Sequence, residues 1–146
     1  MSRVAAFFLL IALCPVAAAQ DARAAAQALF AEYQKRGNAF DPGLADLYCD
    51  SAVVRSTRIY PDGNRRLLEI PAARYKELVR TAMPLARARK DHSTYSRITY
   101  AREGANVRIS ATRYSELKRY SSPFSLLVGQ CGGGWGVLEE VTETRP

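Results

Sequence analysis

The 146-residue sequence has one histidine, one tryptophan, two methionines and three cysteines. A single histidine with so few cysteines does not complete a tetrahedral ligand set, so the composition argues against a metal centre. Beyond the N-terminus there is no apolar run of about 20 residues, the length a membrane-spanning helix needs. There is no internal repeat, low-complexity tract or linker, which excludes solenoids and flexible multidomain arrangements. A phosphate-binding loop is also missing. The glycine run Gly132-Gly133-Gly134 is followed by Trp135 and a strand-like stretch, where such a loop needs Lys-Ser/Thr and a helix. These glycines read instead as the positive-φ turn of a tight hairpin.

What is present starts with the leader. Arg3 supplies a positive charge, residues 4–13 are unbroken apolar, Pro15 breaks the run, and Val16-Ala17-Ala18-Ala19 follows. A basic start, a short apolar segment and small residues at the cut describe a secretory signal peptide. The reading is a leader of residues 1–19, cleaved after Ala19, and a single domain of residues 20–146 that is periplasmic or secreted. A lipoprotein cut before Cys14 would need a small residue where Leu13 stands. Cys14 leaves with the leader. Cys49 and Cys131 remain, and in an oxidising compartment they are expected to form a disulfide, with two buried free thiols as the alternative. The charge is +7, from 21 Lys and Arg against 14 Asp and Glu. For an exported chain this does not point to nucleic acid; a solvated arginine-rich surface is the simpler reading, with an anionic partner as the alternative.

Periodicity places the elements. Ala22, Ala25, Ala26, Leu29, Phe30 and Tyr33 recur at helical spacing and predict a helix over 21–36, capped by Asp21 and ended by Gly37-Asn38. Asp41-Pro42 opens a shorter helix to about Tyr48. Residues 52–60 and 65–70, joined by Pro61-Asp62-Gly63-Asn64, read as a hairpin. Pro71 opens a third helix running from Ala72 toward Ala82, with Pro84 kinking or stopping it. Strands follow over 93–103, 106–115, 123–131 and 135–142. Helices gathered on one face of an antiparallel sheet make an α+β domain.

In that order of elements the chain resembles the nuclear-transport-factor-2-like superfamily, which includes the SnoaL-like and ketosteroid-isomerase-like domains. Two segments carry the resemblance. Phe40-Asp41-Pro42-Gly43-Leu44-Ala45-Asp46-Leu47-Tyr48-Cys49-Asp50-Ser51-Ala52-Val53-Val54 is similar to the second helix entering the first strand. Gly132-Gly133-Gly134-Trp135-Gly136-Val137-Leu138-Glu139 is similar to the last hairpin. The resemblance implies a cone-shaped fold, three N-terminal helices packed on a curved antiparallel sheet, with a cavity between them. It also implies pairing through the sheet, so a homodimer is a further expectation. Tyr33 lies close to the position of the oxyanion-binding tyrosine of the ketosteroid isomerases. The stretch matching their catalytic base, Val54-Arg55-Ser56-Thr57, has no acid, and a proton abstraction needs a base within reach of the carbon acid.

The candidate cavity residues are Tyr33, Ser56, Arg58, Tyr100, Arg113 and Glu139. Tyr33 reads first as a packed core tyrosine whose hydroxyl finds a partner, and second as a cavity donor. Ser56 and Arg58 share a strand face with Val54, and an inward Arg58 suits an anion. Tyr100 and Arg113 fall on the faces of Ile98 and Ile109. Glu139 is in phase with Trp135, Val137 and Val141; inward it is a buried base, and a one-residue change of register makes it a surface charge. Asp91-His92 is the one possible histidine acid–base pair, but adjacent strand residues point to opposite sides. The functional expectation is a domain that binds a small molecule or a protein partner without catalysis and without a cofactor. The rival is a cofactor-free lyase, isomerase or hydrolase acting on a small apolar substrate. Adaptor work through the outer sheet face is a third reading.

Overall fold

The computed structural model describes residues 15–146, with side chains from residue 18 onward. Most of the expected leader lies outside the described residues. Helix α1 spans Pro15–Asn38 and runs through the point after Ala19 where cleavage is expected. It extends N-terminal to the predicted start because residues 16–20 are mostly alanine, the best helix former. Its buried face is Ala22, Ala26, Leu29, Phe30 and Tyr33. The expected second helix is a 3-10 helix, Pro42–Leu47, whose cap Asp41 accepts a bond from the Gly43 N–H at 2.8 Å. Helix α2 spans Ala72–Arg89 and continues through Pro84. Proline removes one backbone donor from a helix. Here Met83 packs on the core and Ala86 reaches the same interior, so helix on both sides of the proline is held. Lys90, at φ 53°, ends it.

Six strands form one sheet: β1 Tyr48–Ile59, β2 Arg65–Pro71, β3 Ser93–Glu103, β4 Asn106–Ser115, β5 Tyr120–Cys131 and β6 Gly134–Thr144, in the order β2-β1-β6-β5-β4-β3. The neighbours pair antiparallel except β1 and β6, which run parallel, so the sheet is mixed where an antiparallel one was expected. Parallel neighbours need a long connection, and everything from β2 to β5 lies between these two. Strand β5 starts before the predicted 123. Pro123 is tolerated because the β5–β6 ladder begins only at Phe124.

Both helices cover the same face of the sheet. Val54, Val107, Ile109, Phe124, Leu126, Val128 and Val137 rise from that face to meet them, and Phe30 enters from α1. Burying a side chain such as Phe30 contributes roughly 1.5–3 kcal/mol. The opposite face is mixed: Arg55, Glu69, Glu103, Arg108 and Glu139 form ion pairs there, and Leu67 and Val141 stand exposed beside them. Cys49 at the start of β1 and Cys131 at the end of β5 form a disulfide, with Cα atoms 5.9 Å apart. Gly136 lies against it, and a Cβ there would stand 2.8 Å from both sulfurs. The β5–β6 hairpin turns on Gly132 and Gly133; Gly132 has φ 60° and Gly133 does not take positive φ, as in a type II′ turn.

Candidate functional site

Strand β6 carries an irregularity that decides which acid enters the interior. Val128 of β5 pairs with Val137, and Leu127 pairs with Glu139, so Leu138 is an extra residue in a β-bulge. Alternation counted from Val137 points Glu139 inward. The extra residue inverts the phase, and Glu140 and Thr142 are the buried pair. Glu139 stands on the outer face instead. There it pairs with Arg55 and, at 2.7 Å, with Arg108; these arginines also bond Glu69 at 2.9 Å and Glu103 at 3.0 Å.

Glu140 is only 4 % exposed and has no ion-pair partner among the described residues. Phenols surround it. Tyr33 of α1 donates to Oε2 at 3.3 Å, Tyr48 of β1 donates to the same oxygen, and Tyr75 in the first turn of α2 reaches Oε1 at 3.5 Å. Four elements thus converge on one carboxyl. Burial pushes the Glu140 carboxyl above the usual range, while the Tyr48 bond, the nearby Arg113 charge and the other phenols pull the opposite way. Burial and the neighbouring Glu140 charge raise Tyr33, Tyr48 and Tyr75, and burial pushes Tyr95 up to about 12. The phenols therefore stay protonated donors at physiological pH.

Beside Glu140 a cavity of about 180 Å³ opens between the C-terminal parts of α1 and α2 and the sheet. Tyr33, Tyr75, Tyr95, Arg113 and Glu140 face it, and Leu44, Phe40 and Met83 supply apolar wall. Tyr48 does not line it; it grips Glu140 from behind and fixes its orientation. The aromatic rings brace one another: Tyr48 and Tyr75 have centroids 5.0 Å apart, and Tyr95 stands 5.0 Å from Phe124. Pockets that engulf a drug-sized ligand run to roughly 300–1,000 Å³. This one suits a smaller molecule. A neutral Glu140 donates a proton or a hydrogen bond into the cavity, an ionised one accepts, and a phenol can donate to a carbonyl oxygen.

Of the six candidates from the sequence, Tyr33 and Arg113 line this cavity together. Ser56 pairs with Thr142 along the parallel ladder and does not line it. Arg58 is exposed, its guanidinium 5.6 Å from the Tyr60 ring centre. Tyr100 packs against the core under Arg23, away from the cavity. Glu139 is on the far side of the sheet. Asp91 reaches the cavity and His92 does not; the imidazole packs on Phe40 at 4.6 Å, so they form no dyad. Sequence reasoning missed Glu140, Tyr75 and Tyr95 as site residues. The available signal was tyrosine at inward positions where phenylalanine packs as well, since a buried phenol needs an acceptor. Among the described residues no three His, Cys, Asp or Glu side chains gather into a metal site, and no helix is long and apolar enough to cross a membrane.

No family model and no curated sequence matches the chain. Solved structures do. A protein of unknown function from Pseudomonas putida, described as NTF2-like, superposes with a TM-score of 0.65 at 14 % identity, over 85 % of this chain and 87 % of that one. An uncharacterised protein with a cystatin-like fold from Caulobacter vibrioides gives 0.64 at 12 %, over 84 % and 89 %. A protein from Novosphingobium aromaticivorans, provisionally named a scytalone dehydratase, gives 0.59 at 13 %, over 87 % and 86 %. The chain thus has the nuclear-transport-factor-2-like fold, in line with the resemblance drawn from its sequence. Identities this low establish the fold and leave the activity to the site.

Proposed function

We propose that this is an exported domain that binds a small molecule in the cavity beside Glu140. The observation that carries the reading is a buried carboxyl that lines an open cavity and is held by phenols rather than by a cation. A buried acid is expensive unless hydrogen-bonded, and an apolar side chain would fill a purely structural core better. The disulfide supports export, because such bonds persist in oxidising compartments.

Proton transfer on the bound molecule, in a lyase or isomerase reaction, is the second reading. The proton affinity of Glu140, raised by burial, favours it, since that shift is in the direction a carboxyl needs to serve as an acid–base group. Two structural neighbours carry provisional dehydratase names, the Novosphingobium protein and one from Streptomyces avermitilis, which points in the same direction.

A thermal-shift screen against small alcohols, ketones, phenols, sugars and organic acids tests binding. A ligand at a hundred times its dissociation constant adds about 2.7 kcal/mol, an easily read shift. Hits that vanish in both Glu140→Gln and Tyr75→Phe locate the ligand here, and conversion of a hit followed by NMR separates turnover from binding. Hits that persist in both variants would place the ligand elsewhere and remove the basis of the proposal.

A further inference from the structure

Arg113 gives the cavity a charge preference. It stands half-buried on β4, the register partner of Tyr95 on β3, and faces the same space as Glu140. Its Nε donates to Ser93 Oγ at 3.2 Å and its Nη1 to Thr142 Oγ1 at 3.2 Å. Both partners are neutral hydroxyls, and neither bond engages Nη2. No carboxylate among the described residues forms an ion pair with it. The outer-face arginines behave otherwise: Arg55 and Arg108 share Glu139, and Arg65 takes Glu143. The cavity therefore holds a guanidinium whose planar fork is still open on one side.

Building on the reading of the cavity as a ligand site, we propose that its ligand is a small monocarboxylate, with the carboxylate paired to Arg113 and a hydroxyl or carbonyl end turned toward Glu140 and the phenols. A guanidinium fork matches a carboxylate in shape and charge, and it holds one more strongly than it holds neutral hydroxyls. Glu140 forms no ion pair with Arg113, and its oxygens accept from Tyr33, Tyr48 and Tyr75 instead. The acids also limit the ligand's charge. Asp91 and Glu140 both reach this space, so a dianion would meet two carboxyl groups with one cation to offset them. The cavity, about 180 Å³, restricts the ligand to a compact molecule.

Calorimetric titration of the isolated protein with lactate, pyruvate and benzoate, each against its own amide, tests the assignment. At least one acid is expected to bind at least ten-fold more tightly than its amide. Arg113→Gln should erase that preference and Arg113→Lys should restore part of it. Equal affinity for acid and amide, acid binding untouched by Arg113→Gln, or silence from all six probes would overturn the assignment. Should Arg113→Gln fail to fold, the comparison of acid with amide on the wild type decides alone. Amide binding as tight as that of the acid, and lost in Glu140→Gln, would reject the carboxylate while leaving the ligand site standing. Acid binding that survives Glu140→Gln and Tyr75→Phe but fails in Arg113→Gln would retain the anion contact and reject the shared site.

Discussion

Replacing Glu140 by glutamine tests whether burial or the surrounding donors governs the central carboxyl. Below the ordinary carboxylate value of 4.5, Glu140 is neutral in the folded and the unfolded chain alike. There the substitution exchanges one neutral hydrogen-bonding group for another and should cost about 1 kcal/mol through imperfect bonds to the phenols. As pH rises past that value the unfolded chain releases its proton, while the folded protein, with its carboxyl raised by burial, keeps it. The wild type then loses stability relative to the variant. The slope is about 1.4 kcal/mol per pH unit until Glu140 ionises in the folded state, where the difference levels off. Urea denaturation of both proteins from about pH 4 to about pH 9 gives the difference curve, and its plateau reads the folded-state affinity directly. A flat curve would show an unperturbed carboxyl. A curve in which the wild type gains with pH would show that Arg113 and the phenols stabilise the anion more than burial opposes it. Either result refutes the reasoning.

Two other predictions follow from the placement of the acids and the disulfide. Glu139→Gln, on the outer face, should cost under about 1 kcal/mol, since part-exposed ion pairs are weak, and should leave ligand shifts intact; loss of binding in thermal-shift assays would contradict the register. Cys49→Ser with Cys131→Ser should lower stability by about 4.5 kcal/mol for a bridge between residues 82 apart, read as a lower urea midpoint. An unchanged midpoint would contradict a formed bridge.

The fold was legible in the sequence where periodicity is local. The buried stripe from Ala22 to Tyr33, the turns at Gly63 and Gly104, and the alternation of Val107 and Ile109 each report their own element. The parallel pairing of β1 with β6 was not legible, because it joins the two ends of the domain and leaves no local pattern. The site was half legible for the same reason. Tyr33 follows from the helical spacing of α1 and Arg113 from the unbroken alternation of β4. Glu140 does not, because a bulge is defined against the partner strand, and nothing within Val137-Leu138-Glu139-Glu140 marks Leu138 as the additional residue. Tyr48 sits at a junction between the 3-10 helix and β1, where neither period applies.

The bulge also has a consequence for any comparison of this chain with others of its fold. It works as an inserted residue that keeps the strand in place while offsetting the count. A relative whose last strand lacks it would carry its cavity-facing side chain two positions after the equivalent of Val137, not three. An ungapped alignment would lay that side chain over Glu139, the outer-face acid, and the functional position would look unmatched. Aligned with a gap at Leu138, it falls on Glu140.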